Sequence, residues 1–196
     1  MWASVGLLRD ELSTTVLALG LPGDAGSTTG RVLGALTEAG EPAVLTLRQL
    51  TRDPPRLSLR GRCVSICENP VVVAEAADRL GSAAAPLVCT NGHPGAAVTA
   101  LLRAVVDGGA TLRYHGDFDW GGLRIANVVF GRLPCRPWRF DTVAYRAAAA
   151  GASGRTLAGL PTEAVWDAAL GAAMREAGRA VEEERVVDDL VADLRG

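Results

Sequence analysis

"TLRYHGDFDWGGLRIAN", residues 111–127, holds the transition on which the fold of this chain turns. Its first half is short and β-prone and ends in two aspartates one residue apart, Asp117 and Asp119. Its second half opens with Gly121 and Gly122 and takes on helical spacing. Side chains along a strand alternate between faces, so Asp117 and Asp119, read as the end of a strand over 111–119, point the same way. A helix is expected from about Leu123, with the glycine pair freeing the turn that leads into it.

The same strand-to-helix step occurs twice upstream. "RCVSICE" (62–68) is an apolar, β-prone run ending at Glu68, and "NPVVVAEAADRLG" (69–81) follows it as a helix. Asn69 is its expected cap, Pro70 its first turn and Gly81 its stop. "PLVCTNG" (86–92) is a second buried strand and "PGAAVTALLRAVVDGG" (94–109) a second helix; "CRPWRF" (135–140) reads as a short fourth strand. Strand and helix alternating at this spacing imply right-handed crossovers, hence an α/β fold with a mostly parallel sheet flanked by helices.

Upstream of this core, Ser27 or Thr28 is expected to cap a helix to about Ala39, ended by Gly40 and Pro42. "AVLTLRQL" (43–50) reads as a strand, and "TRDPPRLSLRG" (51–61) as a turn-rich crossing. Beyond Asp141 the chain is Ala/Gly-rich and then helical over 161–194, with Thr162 a candidate cap. The organisation expected is an N-terminal α/β extension over 1–60, the linker remnant of a longer protein packed on the core. Residues 61–196 form the core domain with a C-terminal helical tail.

A chain of 196 residues suffices for one well-buried domain, and a formal net charge of −2 sets up no global basic field for nucleic acid. All 20 basic residues are arginine, a better bidentate partner for phosphate than lysine, so a local DNA-binding face remains compatible. Cys63, Cys67, Cys89 and Cys135 form no C-x-x-C pair and read as free thiols of a reducing compartment rather than a zinc site. No signal segment or membrane-length apolar run is present, which points to a cytoplasmic protein without a membrane partner.

In a parallel α/β sheet, ligands bind beyond the carboxyl ends of the strands. Glu68 after the first core strand, "TNGHPG" after the second and Asp117/Asp119 after the third all fall on that edge. Two close carboxylates repel unless a cation lies between them, and an all-carboxylate set favours hard Mg²⁺ or Mn²⁺ over zinc. Gly116 lets backbone approach closely, and the helix N-terminus after Gly121 and Gly122 presents N–H groups to a phosphate. Glu68 is a further ligand or the general base. A lone D-x-D also serves as a helix cap, the bland alternative; three acids on one edge are harder to explain by capping.

Glu after the first strand and D-x-D after the third, with βαβαβ connections, resembles the Toprim fold of topoisomerases, primases and several nucleases. More closely, "SICENPVVVAEAADRLG", "PLVCTNGHPGAAV" and "LRYHGDFDWGGLRIAN" resemble the C-terminal Toprim-like domain of the DUF2399 kind, related to JetD, the nuclease subunit of Wadjet plasmid-defence systems. The flanking "WASVGLLRDELSTTVLALGLPG" and "AVEEERVVDDLVADL" extend the likeness over nearly the whole chain. The resemblance implies Glu68, Asp117 and Asp119 as Mg²⁺- or Mn²⁺-binding catalytic acids of a DNA endonuclease. Its implied partners are plasmid or phage DNA and SMC-like ATPase subunits, and a homodimer is left open. The winged-helix-type domain preceding the Toprim part in related proteins is not found in residues 1–60. The alternative is therefore a truncated, non-catalytic module that docks on partner subunits. A D-x-D phosphatase fits less well, because that motif then follows the first strand.

Several further residues fall near the edge. His115 shares the aspartates' face by alternation, for metal or phosphate contact or as a structural histidine. Asn91 and His93 are candidates for phosphate contact, Asn91 equally for capping. Arg124, in the first helical turn, is placed to neutralise phosphate or pair with an aspartate. Among Glu182, Glu183 and Glu184, read first as a solvated helix face, a glutamate-containing helix recurring in JetD-like proteins implies Glu182 or Glu184 as an additional acid. Trp120 is a stacking candidate or a packing residue, while Trp138 and Trp166 read as core. Tyr114 and Tyr145 are poorly placed as nucleophiles, which favours hydrolysis by water.

Overall fold

A computed structural model describes residues 10–151 and 155–195; residues 1–9 at the head of the expected extension lie outside them. Six strands form one sheet: β1 (Thr15–Leu19), β2 (Ala43–Thr46), β3 (Cys63–Cys67), β4 (Leu87–Cys89), β5 (Thr111–Tyr114) and β6 (Cys135–Pro137), in the order β2-β1-β4-β3-β5-β6. The pairs β3–β4, β3–β5 and β5–β6 are parallel, whereas β1 runs antiparallel to both β4 and β2. The α/β, mostly parallel architecture expected from the alternation is present, and β1 and β2 extend the same sheet.

The connecting helices are α1 (Thr28–Ala39), α2 (Leu47–Arg52), α3 (Pro70–Leu80), α4 (Ala96–Asp107) and α5 (Trp120–Arg132), followed by α6 (Thr142–Ala150), α7 (Leu170–Ala177) and α8 (Val187–Ala192). Local chemistry sets their starts. Ser27 Oγ accepts from Gly30 N at 2.9 Å to open α1, and Asn69 Oδ1 accepts from Val71 N at 3.0 Å to open α3, with Pro70 in its first turn. Gly40 closes α1 at φ 74°, where a Cβ would also lie 2.6 Å from Ser82 N.

Three expectations of secondary structure are corrected. The strand read over 43–50 stops at Thr46, because a capping box between Thr46 and Gln49 turns the chain into α2. The strand read to Asp119 ends at Tyr114, so both aspartates lie on the connection into α5, and that helix starts at Trp120 rather than Leu123. The tail is not continuously helical: residues 161–169 form a turn-rich segment, α7 ends at Gly178 with φ 63°, and a 3-10 turn at Glu183–Arg185 precedes α8. Thr162 caps no helix; its hydroxyl receives Arg124.

Two apolar layers cover the sheet. Val64, Ile66, Val88, Leu112 and Tyr114 face a layer built from α4, α5 and their neighbours, through Leu101, Val105, Leu123, Ala126 and Val129. On the other side Cys67, Leu87 and Cys89 pack with Val72, Val73 and Ala76 of α3 and Leu190, Val191 and Leu194 at the chain end. Thus α3 leaves β3 toward one face while α5 leaves β5 toward the other. Because β3 and β5 are neighbours, a crevice opens between their carboxyl ends, the switch point where open α/β sheets place their ligands.

Candidate active site

Glu68 is the first residue beyond β3, and Asp117 and Asp119 follow β5 across the crevice. Asp117 N donates to Glu68 Oε2 in a long contact of 3.5 Å, which ties the two strand ends together. Asp119 is the N-cap of α5, its Oδ1 accepting from Gly122 N at 2.8 Å, while its Oδ2 carries the Arg155 guanidinium at 2.9 Å. The capping role weighed from the sequence is therefore real, and it occupies only one of the two carboxylate oxygens.

The third wall is the acidic turn near the chain end. Glu183 is fully buried, and its carboxylate accepts the backbone N–H of Glu68, at 2.9 Å to Oε2, and that of Asn69. Its own backbone N–H donates to Asp117 Oδ1 at 2.8 Å. One residue thus holds both strand ends. The expectation that the glutamate triplet is a solvated helix face is corrected at Glu183, which joins the site alongside the expected Glu182 and Glu184, whose charges also act on Asp117. Glu182 pairs with Arg155 at 3.0 Å, and the exposed Glu184 accepts from Asn69 Nδ2 at 2.6 Å. No local pattern distinguishes the middle glutamate.

Electrostatics follow from burial. Desolvation, with the Asp117 charge adding, pushes the Glu68 carboxyl up to about 7. Desolvation pushes Asp117 up to about 6 despite the hydrogen bond from Glu183 N, and it holds Glu183 well above the ordinary glutamate range. The Tyr114 hydroxyl is buried beside Glu68 without a well-formed hydrogen bond, and burial raises it well above the usual phenol range.

The sequence-derived candidates separate into groups. Glu68, Asp117 and Asp119 lie on one sheet edge, Glu68 in contact with Asp117 and within reach of the Asp119 charge, and Gly116, Gly121 and Gly122 shape their surroundings. A Cβ on Gly122 would lie 2.0 Å from Asp117 O, and one on Gly116 would lie 2.7 Å from Tyr114 Oη and 3.0 Å from Glu68 Oε2. Only a glycine lets the Tyr114 ring and the Glu68 carboxylate pack this closely against the backbone at position 116. His115 does not face the acids: it is 1% exposed in an aromatic cage with Phe118, Trp138 and Phe140, its Nδ1 2.8 Å from Trp138 O. Burial lowers its pKa to about 4, and the structural role replaces phosphate contact. Arg124 is turned away, donating to Leu160 O and Thr162 Oγ1, both at 3.1 Å, so it braces a loop instead of pairing with an aspartate. Asn91 is exposed after β4 with φ 49° and does not cap α4, whose N-cap is Gly95. Trp120 is 3% exposed and packed in the core, which removes it as a stacking platform.

The donor set suits a hard divalent cation: the groups are carboxylate oxygens, mutually repelling, with the buried Tyr114 hydroxyl beside them. Among the described residues, however, no three such side chains converge as a ready ligand shell. Asp119 is held by its cap and by Arg155, and Asp117 by Glu183 N. The four cysteines carry free thiols, those of Cys67 and Cys89 buried.

No helix among the described residues is long and apolar enough to cross a membrane. No curated protein matches the chain. The model of the family described as "Protein of unknown function C-terminus (DUF2399)" matches residues 43–194, which takes in all of β2 to β6, the three crevice acids and the Glu183 turn. On that match over most of its length, the chain belongs to the DUF2399 family.

Proposed function

We propose that this chain is a Toprim-like, Mg²⁺- or Mn²⁺-dependent DNA endonuclease related to the JetD nuclease subunit, acting in the cytoplasm with an SMC-like ATPase complex against plasmid or phage DNA. The observation that carries the reading is the meeting of Glu68, Asp117 and Asp119 at the switch point between β3 and β5, with Glu183 tying both strand ends together. Acids are placed there by topology, and capping accounts for only one carboxylate oxygen among them.

Glu68, Asp117 and Asp119 would hold the cation, which supplies charge neutralisation at a phosphodiester and acidification of an attacking water. Glu68, raised toward neutral pH, is suited to accept the proton of that water. Glu183 keeps the β3 end and Asp117 in place. Gly122 allows the start of α5 to pack closely against the Asp117 backbone, which sets the N-terminus of that helix beside the acids. Tyr114 and Tyr145 are both fully buried, which supports hydrolysis over a tyrosine-linked intermediate.

The test is nicking or linearisation of supercoiled plasmid in Mn²⁺ by the wild-type chain, Asp117→Ala and Asp119→Ala. Loss of cleavage in both variants is expected; equal residual activity overturns the assignment. The second reading, a non-catalytic module docking on partner subunits, is favoured by one observation: Asp117 and Asp119 each have protein partners and form no ready ligand shell. Capture of an SMC-like subunit by a chain that binds no Mn²⁺ in calorimetry is the result it requires.

A further inference from the structure

Arg155 is delivered to the acidic edge by a short ribbon of its own. Its carbonyl accepts from Ala180 N at 2.8 Å, Leu157 N donates to Gly178 O at 2.9 Å, and Thr156 bridges to Arg179. One residue on, Val181 pairs with Phe118, in the middle of the D-x-D. The ribbon therefore fixes the Arg155 backbone beside the aspartates, and the guanidinium spans two carboxylates, Asp119 Oδ2 at 2.9 Å and Glu182 Oε1 at 3.0 Å.

This ion pair occupies the one oxygen of Asp119 that capping leaves available. The Arg155 side chain is 58% exposed and Asp119 is 23% exposed, so the pair is held in contact with water. Such pairs are weak and readily exchanged. A divalent cation bound by several carboxylates brings twice the charge to the same place. The planar guanidinium fork that fits a carboxylate fits a phosphodiester equally well.

We propose that Arg155 is the resident counter-cation of the acidic edge, exchanged for a divalent cation when metal loads and thereby freed to bind a DNA phosphate. In this conformation the Asp119 oxygen that the cap leaves available, Oδ2, is taken by Arg155 in place of a metal. The inference rests on the nuclease reading above and adds to it the group that senses loading and the phosphate contact that Arg124 does not supply.

The test compares wild type, Arg155→Gln and Asp117→Ala as full chains. Mn²⁺ binding is read by calorimetry, and binding of a fluorescent duplex in Ca²⁺ by anisotropy. Arg155→Gln is expected to bind Mn²⁺ about two- to fivefold more tightly, the equivalent of one exposed ion pair removed. It is expected to bind the duplex more weakly by at least a similar factor. The opposite signs separate exchange from a structural role, which would weaken both. Unchanged or weaker Mn²⁺ affinity in Arg155→Gln, with wild-type binding lost in Asp117→Ala, overturns the exchange and leaves the metal site standing. Unchanged duplex affinity overturns the phosphate role, and no Mn²⁺ binding by wild type overturns both the exchange and the nuclease reading. Independently of any glutamine variant, the Arg155 Nε–H resonance of the wild-type chain, identified by its loss in Arg155→Lys, must shift on adding Mg²⁺. A resonance that stays in place overturns the exchange.

Discussion

The carboxylate of Glu183 accepts the backbone N–H of Glu68 at 2.9 Å across a separation of 115 residues in the chain, and the N–H of Glu183 is donated in turn to Asp117. A buried side chain near the C-terminal end thus replaces the hydrogen bonds that the end of β3 loses where its ladder stops. Glu183→Ala leaves two buried N–H donors unpaired and is expected to cost about 2–4 kcal/mol. Glu183→Gln keeps a side-chain oxygen as acceptor for those N–H groups and is expected to lose less than half as much. Urea denaturation of both variants measures the difference.

Gly122 and Gly121 are adjacent in sequence and unequal in consequence. A Cβ at Gly122 meets the Asp117 carbonyl at 2.0 Å, a backbone atom that cannot yield without moving the D-x-D. A Cβ at Gly121 meets only Asp119 Oδ1, at 3.1 Å. Gly122→Ala is expected to destabilise by roughly 2–3 kcal/mol and to abolish metal-dependent cleavage, whereas Gly121→Ala stays within about 1 kcal/mol. Thermal melting together with the plasmid assay resolves the pair.

Stability should fall as pH rises through weakly acidic values. Glu68 goes from an ordinary 4.5 to about 7 on folding, and Asp117 from 3.8 to about 6. Between those limits the folded state binds more protons than the unfolded one, so their contribution is fully present below about pH 4 and is lost on rising to about pH 7. Glu68→Gln removes about half of the slope that these two groups supply. Melting temperatures measured without divalent ions between pH 4.5 and 7.5 check the sign, and a wild-type curve rising across that range contradicts it.

Tyr114→Phe removes a buried hydroxyl that lacks a well-formed hydrogen bond while keeping the ring in contact with Phe130 and Phe140. The expected change is neutral to about 1 kcal/mol stabilising, since the desolvated group has little to lose. Denaturant titration in the absence of metal is the appropriate measurement. A loss above that size identifies a hydrogen bond from Tyr114 to Glu68 that forms in solution.

Arg124 and Arg155 make a second contrasting pair. Arg124 braces Leu160 and Thr162 on an exposed surface, so Arg124→Ala is expected to change duplex affinity by less than about twofold and stability by under 1 kcal/mol. Anisotropy titrations on the same duplex used for Arg155→Gln give the comparison directly.

Much of this molecule is written locally. The apolar runs at 63–67 and 87–89, the cap at Asn69 with Pro70 behind it, and the glycine stops at 40 and 81 reveal β3-α3-β4-α4-β5 as a parallel α/β unit, because each signal acts over a few residues. Glu68, Asp117 and Asp119 were legible for the same reason: a parallel sheet sends every strand end to one edge. Local reading failed where a polar group ended an element early. The Thr46–Gln49 capping box cut β2 short, and the end of β5 at Tyr114 moved both aspartates onto a loop.

What only the tertiary structure decided lies at long range. Alternation placed His115 on the face of the aspartates, but the strand had already ended, and the ring turned into an aromatic cage. Three consecutive glutamates look alike in sequence, yet the path of the tail, pinned by Val181 against Phe118, buries Glu183 alone and leaves Glu184 in water. Arg155, in an Ala/Gly-rich stretch with no motif, reaches Asp119 because a ribbon with residues 178–180 carries it there. The sequence by itself determined which strands exist and which acids their ends present, since hydrophobic period and capping are short-range. The neighbours of those acids depend on contacts 36 to 115 residues apart, which no local pattern encodes, and they were decided only when the chain closed on itself.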